Sequence, residues 1–348
     1  MLSLFSTIAI MFACVHLATH LLMPLNIRFS KRNNIVAHPN ERRINKTAIP
    51  EAGGLCFAIP IIIAQALYGL LSGYEGVGQM LLHLSGVGLV AIGLGIWDDK
   101  YESKAYGKLI GQVFIGVLMY LIGFRVLFLT NPLGEHFVLG WMSFPATIMW
   151  YVVILNAINL IDGLDGLASG ISIIVSIVLL VVGIKEGNEL VMIICSLLIA
   201  GNSAFLVYNF FPAKIFLGDT GAMFIGLNIA AISTAGSSQF KGITSMTLMI
   251  PLTAMAIPLL DVGLAVLRRL RYGKLFTADK AHIHHTMLAF GFSQKAISII
   301  VYIVTLLFGL IAIGFSFSSK KVVFSLLLGL LALMVVIAYW LMRQEQKK

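Results

Sequence analysis

Apolar runs of about twenty residues recur from one end of this chain to the other, and that repetition restricts its fold more than any other feature. They begin near residues 3, 52, 80, 109, 142, 166, 190, 222, 243, 297 and 322. A helix needs about 20 mostly apolar residues to cross the hydrocarbon core of a bilayer. Inside that core every backbone polar group must be satisfied internally, which leaves only helices and closed barrels. A barrel strand alternates apolar and polar residues, and these runs do not. Only 11% of the 348 residues are charged, against roughly 25% in a soluble domain. The sequence therefore predicts an all-α polytopic integral membrane protein with about eleven transmembrane helices. Residues 1–348 read as a single membrane-embedded unit. No Lys or Arg precedes Arg28, so the first run lacks the basic start of a secretory signal and reads as a retained span. Cys14, Cys56 and Cys195 lie in apolar runs without metal-ligand spacing, and they imply no disulfide framework.

Basic residues in short loops mark the cytoplasmic side of a membrane. With the N-terminus outside and the C-terminus cytoplasmic, loops 26–51, 98–108, 156–166, 210–221 and 268–296 fall on one side. Together with the tail they hold 19 of the 24 Lys and Arg residues. Arg125, Lys185, Lys241, Lys320 and Lys321 fall on the other. Topology thus accounts for most of the net charge of +9, and no nucleic-acid partner is needed to explain it. Basic groups beside lipid headgroups also favour phosphorylated substrates.

The acidic residues gather on the same face. Asp98 and Asp99 end one run in GIWDDKYESK, Asp162 and Asp165 lie in NAINLIDGLDGLASG, and Asp219 lies in FLGDTGAM. A lone Asp at a helix mouth is most simply a cap. Two adjacent carboxylates repel each other, and a shared proton or a divalent cation relieves that repulsion. At about 100° per residue, Asn156, Asn159, Asp162 and Asp165 step steadily round a helix, so the first and last would face opposite ways. Either the helix breaks near Gly163 or Gly166, or the set divides between two tasks. A break would aim Asn159 and Asp162 at a common ligand, and such oxygen donors suit Mg²⁺. Gly170 reads as a helix-packing residue. His282, His284 and His285 do not share one helical face. They suit a phosphate clamp with Arg268, Arg269, Arg271 and Lys280 better than a zinc site.

Four motifs now stand in order: Asp98-Asp99-Lys100, Asn156 to Gly166, Phe216-Leu217-Gly218-Asp219-Thr220-Gly221 and His282-Ile283-His284-His285. Together they resemble the polyprenyl-phosphate N-acetylhexosamine-1-phosphate transferases over nearly the whole chain. The histidine motif is similar to that of the bacterial branch using UDP-N-acetylglucosamine. The first cytoplasmic loop departs from the family pattern, with His38, Asn45 and Glu51 where Asp, His and Arg are usual. The resemblance implies transfer of N-acetylglucosamine-1-phosphate from a UDP-sugar to undecaprenyl phosphate, with release of UMP, at the cytoplasmic face of the bacterial cell membrane. Another UDP-sugar, such as UDP-N-acetylmuramoyl-pentapeptide, is the nearest alternative. It implies a catalytic set of Asp98, Asp99 and Asp219, and a cation, Mg²⁺ or alternatively Mn²⁺, on Asp219, Asn159 and Asp162. Lys108, Asn156, Asp165, Arg268, His282, His284 and His285 would bind substrate. A homodimer is left open. A cation-coupled transporter would place its carboxylates near mid-membrane, where only Asp261 qualifies. A non-catalytic scaffold would not need four Asp-bearing motifs on one face.

Overall fold

A computed structural model describes residues 3–39, 47–72, 75–101, 103–129, 137–239, 252–253, 255–256, 259–260, 287–288, 290–317 and 320–345. Ten helices lie among the described residues: α1 (Leu4–Arg32), α2 (Leu55–Leu71), α3 (Gly76–Tyr101), α4 (Ala105–Leu121), α5 (Ser143–Ile161), α6 (Leu167–Glu186), α7 (Glu189–Asn209), α8 (Gly218–Gln239), α9 (Gln294–Phe317) and α10 (Lys320–Glu345). They correspond to ten of the eleven apolar runs. The remaining run, near residue 243, lies mostly outside the described residues. Among the described residues six helices are long and apolar enough to cross a membrane, and those at 55–71, 105–121 and 322–334 are shorter apolar segments. The chain is a multi-pass membrane protein.

Local chemistry sets the ends of several helices. The Ser3 hydroxyl accepts the Ser6 N–H at 3.2 Å and starts α1. Only Gly187 and Asn188 separate α6 from α7. Asn188 caps α7 by accepting the Val191 N–H at 3.1 Å, as N-cap asparagines do. That tight turn makes α6 and α7 antiparallel neighbours.

The bundle is built round α8. Every residue from Thr220 to Ala235 is buried, and α8 packs against α2, α3, α5, α6 and α7. A helix that is apolar on all sides belongs in the middle of a bundle. Its few polar groups are matched across the interfaces. Gln65 donates to Asn228 at 3.2 Å, Trp150 donates to Ser233 at 2.7 Å, and Tyr151 lies 3.0 Å from Thr234. α1 lies outside α2 and α7, while α9 packs on α6 and α10 on α9.

Two short antiparallel ladders depart from the all-α expectation. β1 (Val36–Ala37) pairs with β2 (Ile49–Pro50), and β3 (Phe128–Leu129) pairs with β4 (Phe137–Val138). Two residues per strand give no alternating pattern to read in a sequence. The first ladder has structural weight, because β2 continues into a backbone junction with the segment before α8. Phe216 N–H donates to Pro50 at 2.9 Å, Gly53 N–H to Phe216 at 2.9 Å and Gly54 N–H to Leu217 at 3.0 Å.

Candidate functional site

Four helix ends meet at that junction. The C-terminal ends of α3 and α5 and the N-terminal ends of α4 and α8 bring their polar residues together. Close approach is possible because small residues face each other. A Cβ on Gly54 would lie 2.2 Å from Gly221 Cα, and one on Gly95 would lie 2.4 Å from Thr220 Cα. Both would clash, so α2 and α3 contact the first turn of α8 backbone to backbone.

Lys108 is central. Its ammonium sits 3.0 Å from Asp98 Oδ2 and also pairs with Asp219 Oδ1. The Asn159 amide donates to the same Asp219 oxygen. Asp98 is further held by the Ser103 backbone N–H at 3.0 Å and by the Ser103 hydroxyl. Asp99, the next residue, points elsewhere: its carboxylate accepts the backbone N–H groups of Asp219 at 2.6 Å and Thr220 at 3.1 Å, and the Thr220 hydroxyl at 2.6 Å.

The sequence expectation of a break in NAINLIDGLDG is met: α5 stops at Ile161 and α6 begins at Leu167. Gly166 carries the turn with φ +74°, a left-handed conformation that glycine adopts without steric cost. The break divides the four residues. Asn159 faces Asp219, as described. Asp162 is partly buried beside it, and its carboxyl is held well above the usual carboxylate range. Burial is the main cause, reinforced by repulsion from Asp219, Asp99, Glu51 and Asp165. Asn156 instead donates to Gln112 of α4 at 2.6 Å. Asp165 accepts the Ala213 N–H at 2.9 Å, tying the α5–α6 turn to the segment before α8. Burial raises its carboxyl too, opposed by that N–H. Gly170 backs onto α9, where a Cβ would lie 2.2 Å from the Tyr302 ring. Arg268, His282, His284 and His285 lie outside the described residues.

Three contributors escaped sequence reading. Ser103 and Thr220 each bind a carboxylate, yet small hydroxyl residues beside charged motifs carry no distinctive pattern. Asn209 is a third case: its amide donates to Ile215 at 3.0 Å and its oxygen accepts the Gly166 N–H at 3.1 Å. It bridges the two loops that carry Asp165 and Asp219.

The donor set suits a hard cation. Among the described residues no three His, Cys, Asp or Glu side chains converge closely enough to hold a metal by themselves. Asp98 and Asp219 share the Lys108 ammonium, and the Asn159 amide adjoins Asp219. Mg²⁺ typically takes one or two carboxylates and fills its remaining positions with water and substrate phosphates. The excess of acid over base round Asp162 is a second fit, because a divalent charge would offset it.

Residues 81–237, which contain all of this cluster, match the glycosyl transferase family 4. The chain is 35% identical over 308 residues to a probable undecaprenyl-phosphate N-acetylglucosaminyl 1-phosphate transferase of Bacillus subtilis, covering 88% of this chain and 84% of that protein. It is 32% identical over 314 residues to a decaprenyl-phosphate N-acetylglucosaminephosphotransferase of Mycobacterium leprae, covering 82% and 77%. A phospho-N-acetylmuramoyl-pentapeptide-transferase of Listeria monocytogenes is 31% identical over 243 residues, covering 66% and 74%. The matched segment holds the carboxylate cluster, and the likeness to the Bacillus and Mycobacterium relatives covers more than four fifths of the chain. The chain belongs to the glycosyl transferase family 4.

Proposed function

We propose that this enzyme transfers N-acetylglucosamine-1-phosphate from UDP-N-acetylglucosamine to undecaprenyl phosphate or a similar polyprenyl phosphate. A lipid phosphate oxygen bonds to the sugar-bearing phosphorus, the bond from that phosphorus to the UMP oxygen breaks, and UMP leaves. The observation that carries this reading is the convergence of Asp98, Lys108, Asn159 and Asp219 within a chain 35% identical to the Bacillus transferase.

Phosphoryl transfer is mainly a matter of positioning and charge neutralisation. Asp219, Asn159 and Asp162 would hold Mg²⁺, with Mn²⁺ as the substitute. A cation held by these residues would supply charge withdrawal from the pyrophosphate and so ease the departure of UMP. Asp98 would take the proton of the lipid phosphate, whose second ionisation lies near about 6. Lys108 would turn from its carboxylates to phosphate oxygens. Arg268, His282, His284 and His285 remain the proposed phosphate clamp, and Asn156 and Asp165, held by Gln112 and the Ala213 N–H, remain proposed substrate-binding residues. The loop basic residues favour eleven spans, an outside N-terminus and a cytoplasmic site in the bacterial cell membrane.

The Listeria relative favours one second reading, with UDP-N-acetylmuramoyl-pentapeptide as donor. The test is UMP release by purified protein in detergent, with undecaprenyl phosphate and Mg²⁺ and each donor offered separately. UMP from UDP-N-acetylglucosamine alone, abolished by excess EDTA, is the expected result. UMP from the pentapeptide donor alone overturns the substrate assignment. Full activity in EDTA overturns the metal.

A further inference from the structure

Asp98 and Asp99 are chemically identical neighbours with unlike surroundings. Asp98 faces a cation, Lys108, and the Ser103 hydroxyl. Asp99 faces the start of another helix. The first four N–H groups of any helix lack partners within it. In most helices the residue just before the first turn supplies a side-chain acceptor. The residues at the start of α8 are Phe216, Leu217 and Gly218, and none has one. Asp99 supplies it from α3. It takes two backbone N–H groups and the Thr220 hydroxyl, so three of the roughly four acceptor directions of a carboxylate are used within the protein.

The surroundings are shaped for this joint. A side chain at Gly218 would strike the Asp99 carboxylate at 2.7 Å. Gly95, one turn before Asp99, lies against the backbone of Asp219 and Thr220, which brings α3 within carboxylate reach of α8. The captured residues are Asp219, whose carboxylate meets Lys108 and Asn159, and its immediate neighbour. Fixing the Asp219 backbone fixes where its carboxylate points.

We infer that Asp99 is a positioning residue: it caps α8 from a neighbouring helix and thereby aims the Asp219 side chain, without itself touching substrate or cation. A displacement of about 1 Å at such a site can cost about 10²-fold in rate. The kinetic consequence rests on the transferase reading, whereas the cap does not.

The test uses full-length purified protein with Asp99→Asn, Asp99→Ala, Thr220→Val, Asp99→Ala/Thr220→Val and, for comparison, Asp98→Asn. UMP release gives kcat and KM, and amide hydrogen exchange is followed at residues 219 and 220. Asp99 uses Oδ1 for the Asp219 N–H and Oδ2 for Thr220, and asparagine keeps one acceptor oxygen, so Asp99→Asn should exchange faster at one of the two amides while keeping at least about a tenth of wild-type kcat with KM little changed. Asp99→Ala should lose about 10²-fold in kcat and exchange faster at both amides. The double variant should be no slower than Asp99→Ala, because both changes remove one joint and their effects do not add. Asp99→Asn as inactive as Asp98→Asn, with exchange at 219 and 220 as in wild type, would overturn the proposal, as would losses that multiply in the double variant. If Asp99→Ala does not fold, Asp99→Asn and Thr220→Val still decide. If the wild-type protein releases no UMP from any donor, the transferase reading fails. The exchange measurement then stands alone, and unchanged exchange in Asp99→Asn and Thr220→Val rejects the cap.

Discussion

Lys108 answers to two carboxylates at once, and little of its ammonium is left to water: the side chain is 16% exposed. Removing one partner from a buried charged group is far more damaging than removing both, because the survivor keeps its desolvation penalty without compensation. Lys108→Gln should therefore lower the melting temperature of the purified protein markedly. Adding Asp98→Asn should restore part of the loss, since one carboxylate no longer repels the other. A double variant less stable than Lys108→Gln alone would contradict this account. Asp162 makes a related prediction. Its folded pKa lies above the ordinary 3.8, so the folded state binds the proton more tightly than the unfolded chain. Its stabilising contribution is complete below the unfolded value and is lost as pH rises through the folded one. Between pH 5 and 8, in EDTA, wild type should lose more thermal stability than Asp162→Asn, and parallel curves would refute the assignment. At this scale the sequence named Asp98, Lys108 and Asp219, which the structure brings together. It could not tell Asp98 from Asp99, because the partners that separate them, Lys108 on α4 and the amides of α8, are remote along the chain.

Among elements, α8 governs the site. Its first turn receives the β2 junction from one side and α3 from another, through Gly54, Gly95 and Gly221. Gly95→Val should part α3 from α8 and cost at least about 10²-fold in UMP release. Gly86→Val, on the same helix but with open space at its Cβ, should remain near wild type; equal losses in both would mean that valine disturbs the span generally. The apolar runs announced the helices, and the Gly163–Gly166 segment announced the break between α5 and α6. The backbone junction of residues 50–54 with 216–217 was not legible, because main-chain pairing at this length leaves no side-chain pattern. Gly54 and Gly95 were equally silent, since a glycine in a membrane helix is common and its contact partner is known only from the fold.

Over the whole molecule, charge is distributed unevenly between the two ends of the bundle. The proposed orientation follows from that asymmetry. In a protein with Cys14→Ser, an impermeant thiol reagent should label Lys185→Cys in intact cells, and Lys214→Cys only after the membrane is opened. The reverse pattern would invert the topology. The opposite end from the carboxylate cluster carries the β3–β4 ladder, where Phe128, Leu129, Phe137 and Val138 are all exposed and Trp141 is 81% exposed. Tryptophan favours the boundary between acyl chains and headgroups, and the exposed Phe, Leu and Val side chains beside Trp141 favour the acyl side. In the orientation proposed above, they would act as a float at one end and the basic loops of the sequence as ballast at the other. In that orientation the two would set how deep the bundle rides in the bilayer, and so would hold Asp98 and Asp219 level with the phosphate of the lipid substrate.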